Sequence, residues 1–594
     1  MPLTSFHING RLPLPYSPDT VGVLGATRTL LTGWIDTSSF PSWHRGEGSA
    51  LEGLQRLLDS DGASAVRRLR GDFVIAHLAA DRARLRLYRG VASTIPLFWR
   101  SGDGSFAWAT DPGELLDGEG RRLDDVDLDL LPMIIAEAGF PHDRSWFKDV
   151  WRLPSGECLT LDAGEVRPRV DQFDEFSPAE DVPADPRSAA EELRRRLSQA
   201  CSRMLEPEDA AVVMLSGGLD SAAVTHEAAG RCKKAVGLHF TLESFPGFAE
   251  DSEVAARIAG ACDAAFVPYD MSKHVVEGGD YLQGPEDGSL PRTHVPLPGY
   301  PAAATQAESI GARFVLSGLM SDQVLMHDWH RGIFEVLGPA VLNPLRTGEP
   351  IWQTLAQMSG SSFAGSGRRR RPLGLARSLL GGDPTVALPD PGLMVHHVGL
   401  TPDAADRITD SLRGSTYRVQ AGARAMGDRR GNGGRHLPHG ITALLFIKEA
   451  LNLPHLHAGW LNYFRPRGRF FATPYADRDV VEFALALPTR HRLALGYGST
   501  VDKFALRLAY ADGRLPREVA TRMHQARIDA IPAAFVNQNF ETCRRLLGED
   551  SVLRRLGIVA DDFAANLSRG VAHRNGEPIA RLCVIEQWLR RISE

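Results

Sequence analysis

A turn rich in serine and glycine, with one aspartate, gives the first indication of chemistry in this sequence. The apolar run 210–215 predicts a buried parallel strand, and the turn Ser-Gly-Gly-Leu-Asp-Ser follows at residues 216–221, with a helix predicted to start at Ser221. Strand, glycine turn and helix together direct backbone N–H groups and a helix dipole toward an anion. The glycines permit close approach and the serines add hydroxyl donors. Because Asp220 would repel a phosphate, we expect it to hold a divalent cation against one.

A second turn of related composition lies about 100 residues further along the chain. The run 313–316 predicts another strand, which ends in Ser317-Gly318, and Asp322 stands four residues after the glycine. A metal ion bound to a polyphosphate requires two carboxylates that converge from neighbouring strand ends. The sequence therefore predicts that Asp220 and Asp322 share one divalent cation, with two ordinary surface turns as the alternative.

Both turns resemble motifs of known nucleotide-using enzymes. The first lacks the lysine and the spacing of G-x-x-x-x-G-K-[ST]. It resembles the pyrophosphate-binding loop of the ATP pyrophosphatases, which cut ATP between the α- and β-phosphates and adenylate a substrate. The second is similar to the Ser-Gly-x-x-Ser-Asp motif of the asparagine synthetases, which belong to that group. Gln323 stands where those enzymes usually have glutamate, so the resemblance implies a divergent member.

The length and composition of the chain limit the class of protein to which it can belong. The chain has 594 residues, enough for more than one domain, with 43% hydrophobic and 24% charged residues and a net charge of −6. No basic field favours nucleic acid, and no apolar run reaches the ~18 residues of a membrane span. Six scattered cysteines without a C-x-x-C pair favour reduced thiols. We expect a cytoplasmic protein without a signal peptide.

Short apolar runs in the first part of the chain predict strands, among them Phe73–Leu78 and Leu85–Tyr88. A helix is predicted over Leu130–Ala136. The order and spacing of four motifs resemble the glutaminase domain of asparagine synthetases; they are Arg70-Gly71-Asp72-Phe73, Asp81, Pro96-Leu97-Phe98 and Leu153-Pro154-Ser155-Gly156. The resemblance implies a degenerate class II glutamine amidotransferase-like domain of Ntn type, with αββα layers.

The glutaminase chemistry itself is predicted to be lost. In the family an N-terminal cysteine is both nucleophile and amine base, whereas this sequence offers Pro2 and has its first cysteine at Cys158. Arg89-Gly90 stands where the family often has an Arg-Asp pair. We expect a retained scaffold that stabilises the second domain or contributes to a substrate surface.

Further resemblances lie beyond a proline-rich acidic linker at 175–190. Lys503 opens a segment similar to the family's Lys-x-x-Leu-Arg, whose lysine reaches the ATP phosphates, although an exposed helix position is the alternative. The segment 515–525 resembles one with a further lysine that stabilises the acyl-adenylate transition state. In this sequence His524 stands at the position of that lysine, and Arg527 follows three residues later. Either protonated His524 or Arg527 would supply the positive charge of the lysine. Phe470 replaces a common glutamate, which implies a rebuilt acceptor side.

The resemblance implies an α/β protein with a glutaminase-like domain at 1–180 and an ATP-dependent synthetase domain at 188–594. The second is expected to have an ATP-pyrophosphatase (adenine nucleotide α-hydrolase-like) parallel sheet with extra helices. The predicted cofactors are ATP and Mg²⁺, the metal held by Asp220 and Asp322. The residues predicted to bind ATP and pyrophosphate are Leu215, Ser216, Gly217, Gly218, Asp220, Ser221, His239, Phe240, Ser317, Gly318 and Asp322, and the predicted catalytic residues are Lys503, His524 and Arg527.

Three kinds of enzyme in this group differ in substrate. Asparagine synthetases keep the N-terminal cysteine and make asparagine from aspartate. β-Lactam synthetases have lost the cysteine and close a ring within a small amino acid. Lasso peptide cyclases have also lost it, and they join an Asp or Glu side chain of a peptide to the peptide's own N-terminal amine. The missing cysteine, the chain length and the basic loops at 368–371 and 427–435 favour a lasso peptide cyclase. The other two, and a non-catalytic scaffold, stay open. The resemblance implies three partners, namely a precursor peptide, a leader-binding protein and a leader peptidase.

Overall fold

The protein is represented by a computed structural model, which covers both predicted domains. The structure describes residues 3–6, 9–13, 28–38, 50–102, 104–116, 122–136, 141–243, 249–277, 290–291, 299–325, 399–408, 447–448, 450–452, 454–496, 499–522, 530–570 and 576–593.

The first part of the chain is built mainly from antiparallel strands. These strands are β1 Leu3–Phe6, β2 Asn9–Pro13, β3 Thr29–Ile35, β4 Gly71–Leu78, β5 Arg84–Arg89, β6 Phe98–Gly102, β7 Ser105–Ala109, β8 Trp151–Arg152, β9 Glu157–Asp162 and β10 Arg169–Gln172, and the helices are α1 Ala50–Asp61, α2 Ala63–Arg68 and α3 Leu131–Ala136. One sheet has the order β1-β3-β4-β5-β9-β10 and the other β2-β7-β6-β8. The predicted strands around Phe73–Leu78 and Leu85–Tyr88 are confirmed as β4 and β5.

Helices α1 and α2 cover the first sheet because apolar side chains recur on one face of each. Leu54 and Leu58 of α1 and Val66 of α2 are buried against Ile35 and Ile75 from the sheet. The spacing of four residues between the two leucines places both on the same side of α1. This arrangement of sheets and helices confirms the predicted amidotransferase-like architecture of the first part.

The second part contains a parallel sheet in the order β13-β12-β11-β14-β15. Its strands are β11 Ala210–Met214, β12 Lys234–Thr241, β13 Ala265–Asp270, β14 Phe314–Ser317 and β15 Phe470–Ala472, and a separate hairpin pairs β16 Ala494–Gly496 with β17 Ser499–Val501. Ala211, Val212 and Val213 of the central strand are buried. Helices on both faces account for this continuous apolar run. The predicted parallel-sheet domain is confirmed.

Helices fill the rest of the described part of the second half. They are α4 Pro186–Met204, α5 Leu219–Ala229, α6 Ala249–Ala261, α7 Ser272–Glu277, α8 Gly299–Ser309, α9 Ser321–Leu325, α10 Pro454–Gly459, α11 Arg478–Ala486, α12 Thr489–Arg492, α13 Phe504–Ala511, α14 Arg517–Thr521, α15 Ala530–Gln538, α16 Phe540–Leu546, α17 Val552–Arg555, α18 Phe563–Asn566 and α19 Gly576–Ser593. Within the described ranges, none of the helices is long and apolar enough to cross a membrane.

Helix α5 begins earlier than the sequence indicated. The predicted start was Ser221, but the helix starts at Leu219 with Gly218 as its N-cap. Asp220 therefore lies in the first turn, where a carboxylate is favoured by the helix dipole. The prediction was wrong because Leu219 and Asp220 already belong to the helix directly after the Gly218 N-cap, so the loop between β11 and α5 consists of residues 215–218.

Buried arginines join the two halves. Arg89 at the end of β5 is fully buried and donates to Asn452 Oδ1 at 2.6 Å and to the Leu451 carbonyl at 3.1 Å. It also donates to the carbonyls of Leu153 and Ser93 at 3.0 Å each. Burial lowers the pKa of Arg89 to about 10, so the guanidinium remains charged at neutral pH. A buried charge that bridges four acceptors fixes the relative position of the two halves.

Replacing Arg89 by methionine is expected to destabilise the protein by about 2–4 kcal/mol, because carbonyl acceptors then remain unpaired in a dry interface. Chemical denaturation followed by tryptophan fluorescence measures this change. The matched control is Arg84→Met on the same strand, since Arg84 pairs with Asp162 at the surface and its loss is expected to cost at most about 1 kcal/mol. Equal effects of the two substitutions would contradict the bridging role of Arg89.

Candidate active site

The two predicted turns meet at the carboxyl edge of the parallel sheet. Met214 of β11 is in register with Ser317 of β14, so both strands end at the same level. The backbones touch, because a Cβ atom on Gly318 would lie 2.7 Å from the Ser221 nitrogen and 2.9 Å from the Asp220 carbonyl carbon. Only glycine fits at residue 318 without moving one turn away from the other. The predicted convergence of the two strand ends is present in the structure.

Lys503 connects the two predicted metal ligands. Its ammonium Nζ donates to Asp220 Oδ2 at 2.5 Å and to Ser321 Oγ at 3.0 Å. The same nitrogen lies 2.6 Å from Asp322 Oδ1. Lys503 is the N-cap residue of α13 and has a left-handed backbone, with φ 48°. A left-handed conformation is unusual for lysine, and strained backbone of this kind clusters at functional sites.

Burial and charge act against each other in this cluster. Only 7% of the Lys503 side chain is exposed, compared with 27% for Asp220 and 55% for Asp322. Burial raises the pKa of Asp220, and the charge of Lys503 opposes the rise. For Lys503, burial favours a lower pKa, but attraction to Asp220 and Asp322 outweighs it and raises the pKa. The lysine is therefore a cation at neutral pH, and it is held by carboxylates.

Hydroxyl groups shape the first turn. Ser216 Oγ and Ser221 Oγ lie 3.0 Å apart, and Ser221 Oγ also accepts from the Ser216 nitrogen at 3.1 Å. Gly217 has φ 85°, and a Cβ there would lie 2.9 Å from the Asp251 carbonyl oxygen. Helix geometry leaves the N–H groups of the first turn of α5 without acceptors within the helix. The turn thus presents donors and a dipole suited to an anion.

The remaining predicted nucleotide residues have different surroundings. His239 Nδ1 donates to the Leu215 carbonyl at 2.8 Å, and its Nε2 lies 3.0 Å from Ser252 Oγ. Because His239 is 3% exposed, its ring supports the end of β11 from the neighbouring strand. Phe240 is partly buried and meets the Tyr269 ring edge-on. Direct contact of these residues with a nucleotide stays a prediction.

The site fits a magnesium ion bound to a polyphosphate. Asp220 Oδ1 is buried and accepts no hydrogen bond, as expected of an oxygen reserved for a cation. Among the described residues, no group of three or more His, Cys, Asp and Glu could hold a metal. Mg²⁺ commonly takes one or two carboxylates and completes its shell with water and substrate phosphates. Asp220 and Asp322 match that requirement.

Three hydroxyl residues at the site were not predicted. Tyr475 Oη donates to the Asp220 carbonyl at 3.3 Å, and Thr473 Oγ1 donates to the Leu319 carbonyl. Together with Ser321, which contacts Lys503, they tie each aspartate turn to a neighbouring element. Ser321 stands in the Ser-Asp motif, and Thr473 and Tyr475 lie in the segment 471–488, which also resembles the family, but that resemblance assigned neither of them a role.

Some predicted features lie elsewhere. His524, Arg527, Pro2 and the loops at 368–371 and 427–435 are outside the described residues. Phe470 is 1% exposed and stacks on Phe314 with ring centroids 5.5 Å apart. It pairs with the first residue of β14, at the end of the sheet opposite the two turns. Phe470 therefore belongs to the core, and its expected place on the acceptor side is wrong.

The first half shows no activated thiol in its described part. Cys158 is 6% exposed on β9, and its Sγ lies 3.9 Å from Thr160 Oγ1. Burial raises the pKa of the Cys158 thiol to about 11. Since the thiolate is the nucleophilic form, this cysteine is inert at neutral pH.

A large cleft of about 1140 Å³ lies away from the two turns, along α4. Most of its lining residues are charged, and several of them pair with one another or with neighbours. Glu191 bonds Arg514 at 2.7 Å, and Glu192 bonds Arg195 and Arg196 at 2.7 Å each. The lining contains no glycine, and the first turn of α4, which contributes Arg187 and Ser188, is already capped by the Asp185 carboxylate, which accepts from the Ser188 nitrogen at 2.8 Å. We therefore place the candidate site at the strand ends.

Fold and site together define an α/β protein with a candidate anion site at the carboxyl edge of its parallel sheet. A glutamine amidotransferase domain model matches residues 46–173, and an asparagine synthase model matches residues 470–590. The two matches support a chain that combines an amidotransferase-like domain with an asparagine synthase-like domain. The second match includes Lys503, whereas the turns with Asp220 and Asp322 lie between the matched ranges.

Solved structures give weaker likenesses. The chain is similar to glutamine phosphoribosylpyrophosphate amidotransferase from B. subtilis complexed with ADP and GMP, with 11% identity and a TM-score of 0.16. That match covers 34% of this chain and 44% of the other, less than half of its length. A structure titled as the allosteric regulatory enzyme of purine biosynthesis matches with 11% identity, a TM-score of 0.17, and coverage of 49% and 68%. No curated protein matches the chain.

Replacing Gly318 by alanine is expected to weaken ATP binding at least about tenfold, because the new Cβ pushes the second turn away from Asp220 and Ser221. Isothermal titration with ATP and Mg²⁺ measures the affinity. Gly260→Ala is the matched control, since no atom lies within 4 Å of its added Cβ and alanine favours the helix. Wild-type affinity in Gly318→Ala would show that the contact between the turns does not shape the site.

Proposed function

We propose that this protein is an ATP-dependent lasso peptide cyclase. It adenylates an Asp or Glu side chain of a peptide and closes a macrolactam with the N-terminal amine of the same peptide. The observation that carries the ATP-dependent step is the cluster at the strand ends, in which Lys503 contacts both Asp220 and Asp322. The proposed domains are 1–180 for support and 188–594 for chemistry.

The first step needs a bound polyphosphate and a carboxylate nucleophile. The turn at 216–221, Ser317 and Gly318 would hold the phosphates, and Lys503 would neutralise charge on the leaving pyrophosphate. Mg²⁺, held by Asp220 and Asp322, would add positive charge at the same phosphates. The substrate carboxylate attacks the α-phosphorus, so that an acyl-AMP forms and pyrophosphate leaves.

The second step joins the amine to the activated acyl group. The N-terminal amine attacks the acyl carbon and forms the amide bond. The bond between the acyl carbon and the AMP oxygen breaks, AMP leaves with its electron pair, and the amine loses a proton. Because both groups belong to one molecule, holding them in contact supplies much of the rate. His524 or Arg527 would stabilise charge in this step, according to the resemblance described above.

One feature beside the cluster supports a substrate other than a small amino acid, because Gln323 stands next to Asp322 where the asparagine synthetases usually have glutamate. A β-lactam synthetase-like or asparagine synthetase-like ligase is the second candidate, favoured by the asparagine synthase match. A non-catalytic scaffold is the third.

The proposed partners follow from the proposed product. A lasso peptide arises from a longer precursor, so a leader-binding protein and a leader peptidase would act before ring closure. The proposed location is the cytoplasm, where ATP is available and where the free cysteines of the described chain stay reduced.

ATP–pyrophosphate exchange by the purified protein tests the function. We expect exchange to require a linear peptide with a free N-terminus and an internal Asp or Glu, and the peptide to lose one water from its mass. Asp322→Asn is expected to reduce exchange at least about 100-fold, because one of two carboxylates at the phosphates loses its charge. Asp561→Asn is the matched control, with 89% of that side chain exposed.

Each other outcome selects a different function. Exchange driven by aspartate or another small amino acid would replace the peptide substrate with the second candidate. ATP binding without exchange, even with the leader-binding protein and peptidase added, would favour the scaffold. Unchanged exchange in Asp322→Asn would remove this carboxylate from the chemistry.

A further inference from the structure

Lys503 stands where a cation bridging the two aspartates would have to bind. Its Nζ lies 2.5 Å from Asp220 Oδ2 and 2.6 Å from Asp322 Oδ1. A divalent cation binds carboxylate oxygens at about 2.0–2.6 Å. Two cations that shared these same two oxygens would repel each other strongly in a poorly solvated site. Binding of the ammonium and binding of a metal ion that bridges these two oxygens are therefore mutually exclusive.

The ammonium has no good alternative position when the site contains no other anion. Lys503 is 6% exposed, so its charge cannot turn into water without a rearrangement of the surrounding side chains. It also caps the N-terminus of α13, where the helix dipole disfavours positive charge. If the Lys503 ammonium moves away from Asp220 and Asp322, two ion pairs are lost unless another anion binds the ammonium. A polyphosphate placed on the turn at 216–221 is such an anion.

We propose that Lys503 keeps divalent cations away from Asp220 and Asp322 until a nucleotide polyphosphate binds, so that metal and nucleotide enter the site together. This inference rests on the proposed ATP-dependent function. The lysine moves from the carboxylates to the phosphates, and the oxygens that it releases become metal ligands. Asp220 Oδ1, which accepts no hydrogen bond, offers only one ligand while the lysine remains in place.

The exchange has a thermodynamic consequence. If the polyphosphate removes the lysine from the carboxylates, it must raise the affinity for the metal ion. By linkage, the metal ion raises the affinity for the nucleotide by the same factor. An uncharged side chain at residue 503 removes the competitor, so metal binding without nucleotide becomes tighter and the coupling becomes weaker.

The test measures Mn²⁺ binding without nucleotide, using the electron paramagnetic resonance signal of free Mn²⁺. We expect the full-length Lys503→Met and Lys503→Gln proteins to bind Mn²⁺ at least about tenfold more tightly than the wild type. Lys233→Met is the matched control, because this lysine is 73% exposed and lies just before β12, at the opposite edge of the sheet. Adding Asp220→Asn to Lys503→Met is expected to abolish the gain, which assigns it to this site.

A second arm adds an ATP analogue with a methylene group between the α- and β-phosphorus atoms. We expect the analogue to raise the Mn²⁺ affinity of the wild type and to raise that of Lys503→Met at least about tenfold less. Thermal unfolding confirms that each variant is folded. Mn²⁺ binding by both residue 503 variants that is no tighter than in the wild type would overturn the inference. If no protein binds the analogue, the ATP-dependent function fails, while the nucleotide-free arm still decides the role of Lys503.

Discussion

Two carboxylates at adjacent strand ends repel each other, and this repulsion is the constraint on which the candidate site depends. The parallel sheet brings Asp220 and Asp322 together, and the close contact at Gly318 holds the two turns against each other. A positive charge between the two carboxylates relieves their repulsion. Lys503 supplies that charge in the structure, at the cost of a left-handed backbone and a buried ammonium. Backbone strain of this kind persists only where the surroundings enforce it.

The first half supports this cluster through charged side chains. Arg203 of α4 donates to Asp477 at 2.6 Å and also bonds Asp479. Arg70 from the first half bonds Asp479 at 3.0 Å. These ion pairs hold the segment that carries Thr473 and Tyr475, the hydroxyl residues that bond the two aspartate turns. Arg70 is the contribution of the first half to these ion pairs, so the first half helps to hold the segment that positions the turns.

Local features of the chain were predictable from the sequence, and long-range ones were not. Strand β11 and the glycine turn follow from an apolar run and a glycine pair, and parallel topology alone predicts that Asp220 and Asp322 converge. Lys503 was found only through a resemblance. The bond of Arg89 to Asn452 joins residues 363 positions apart, and no periodicity announces such a pair. The place of Phe470 was mispredicted because a motif position gives no information on which end of its strand faces the site.

The buried charges also bear on how the proposed cyclase would choose its substrate. An enzyme that binds a separate amine needs a pocket that recognises it, commonly with a carboxylate, and Gln323 removes one acidic group expected beside Asp322. A substrate that carries both reacting groups needs no such pocket, because confinement alone brings its amine to the acyl group. Glutamine in place of glutamate beside the cluster therefore fits the proposed cyclase, in which the activating half-reaction is kept and the acceptor changes from a free amine to one within the same molecule.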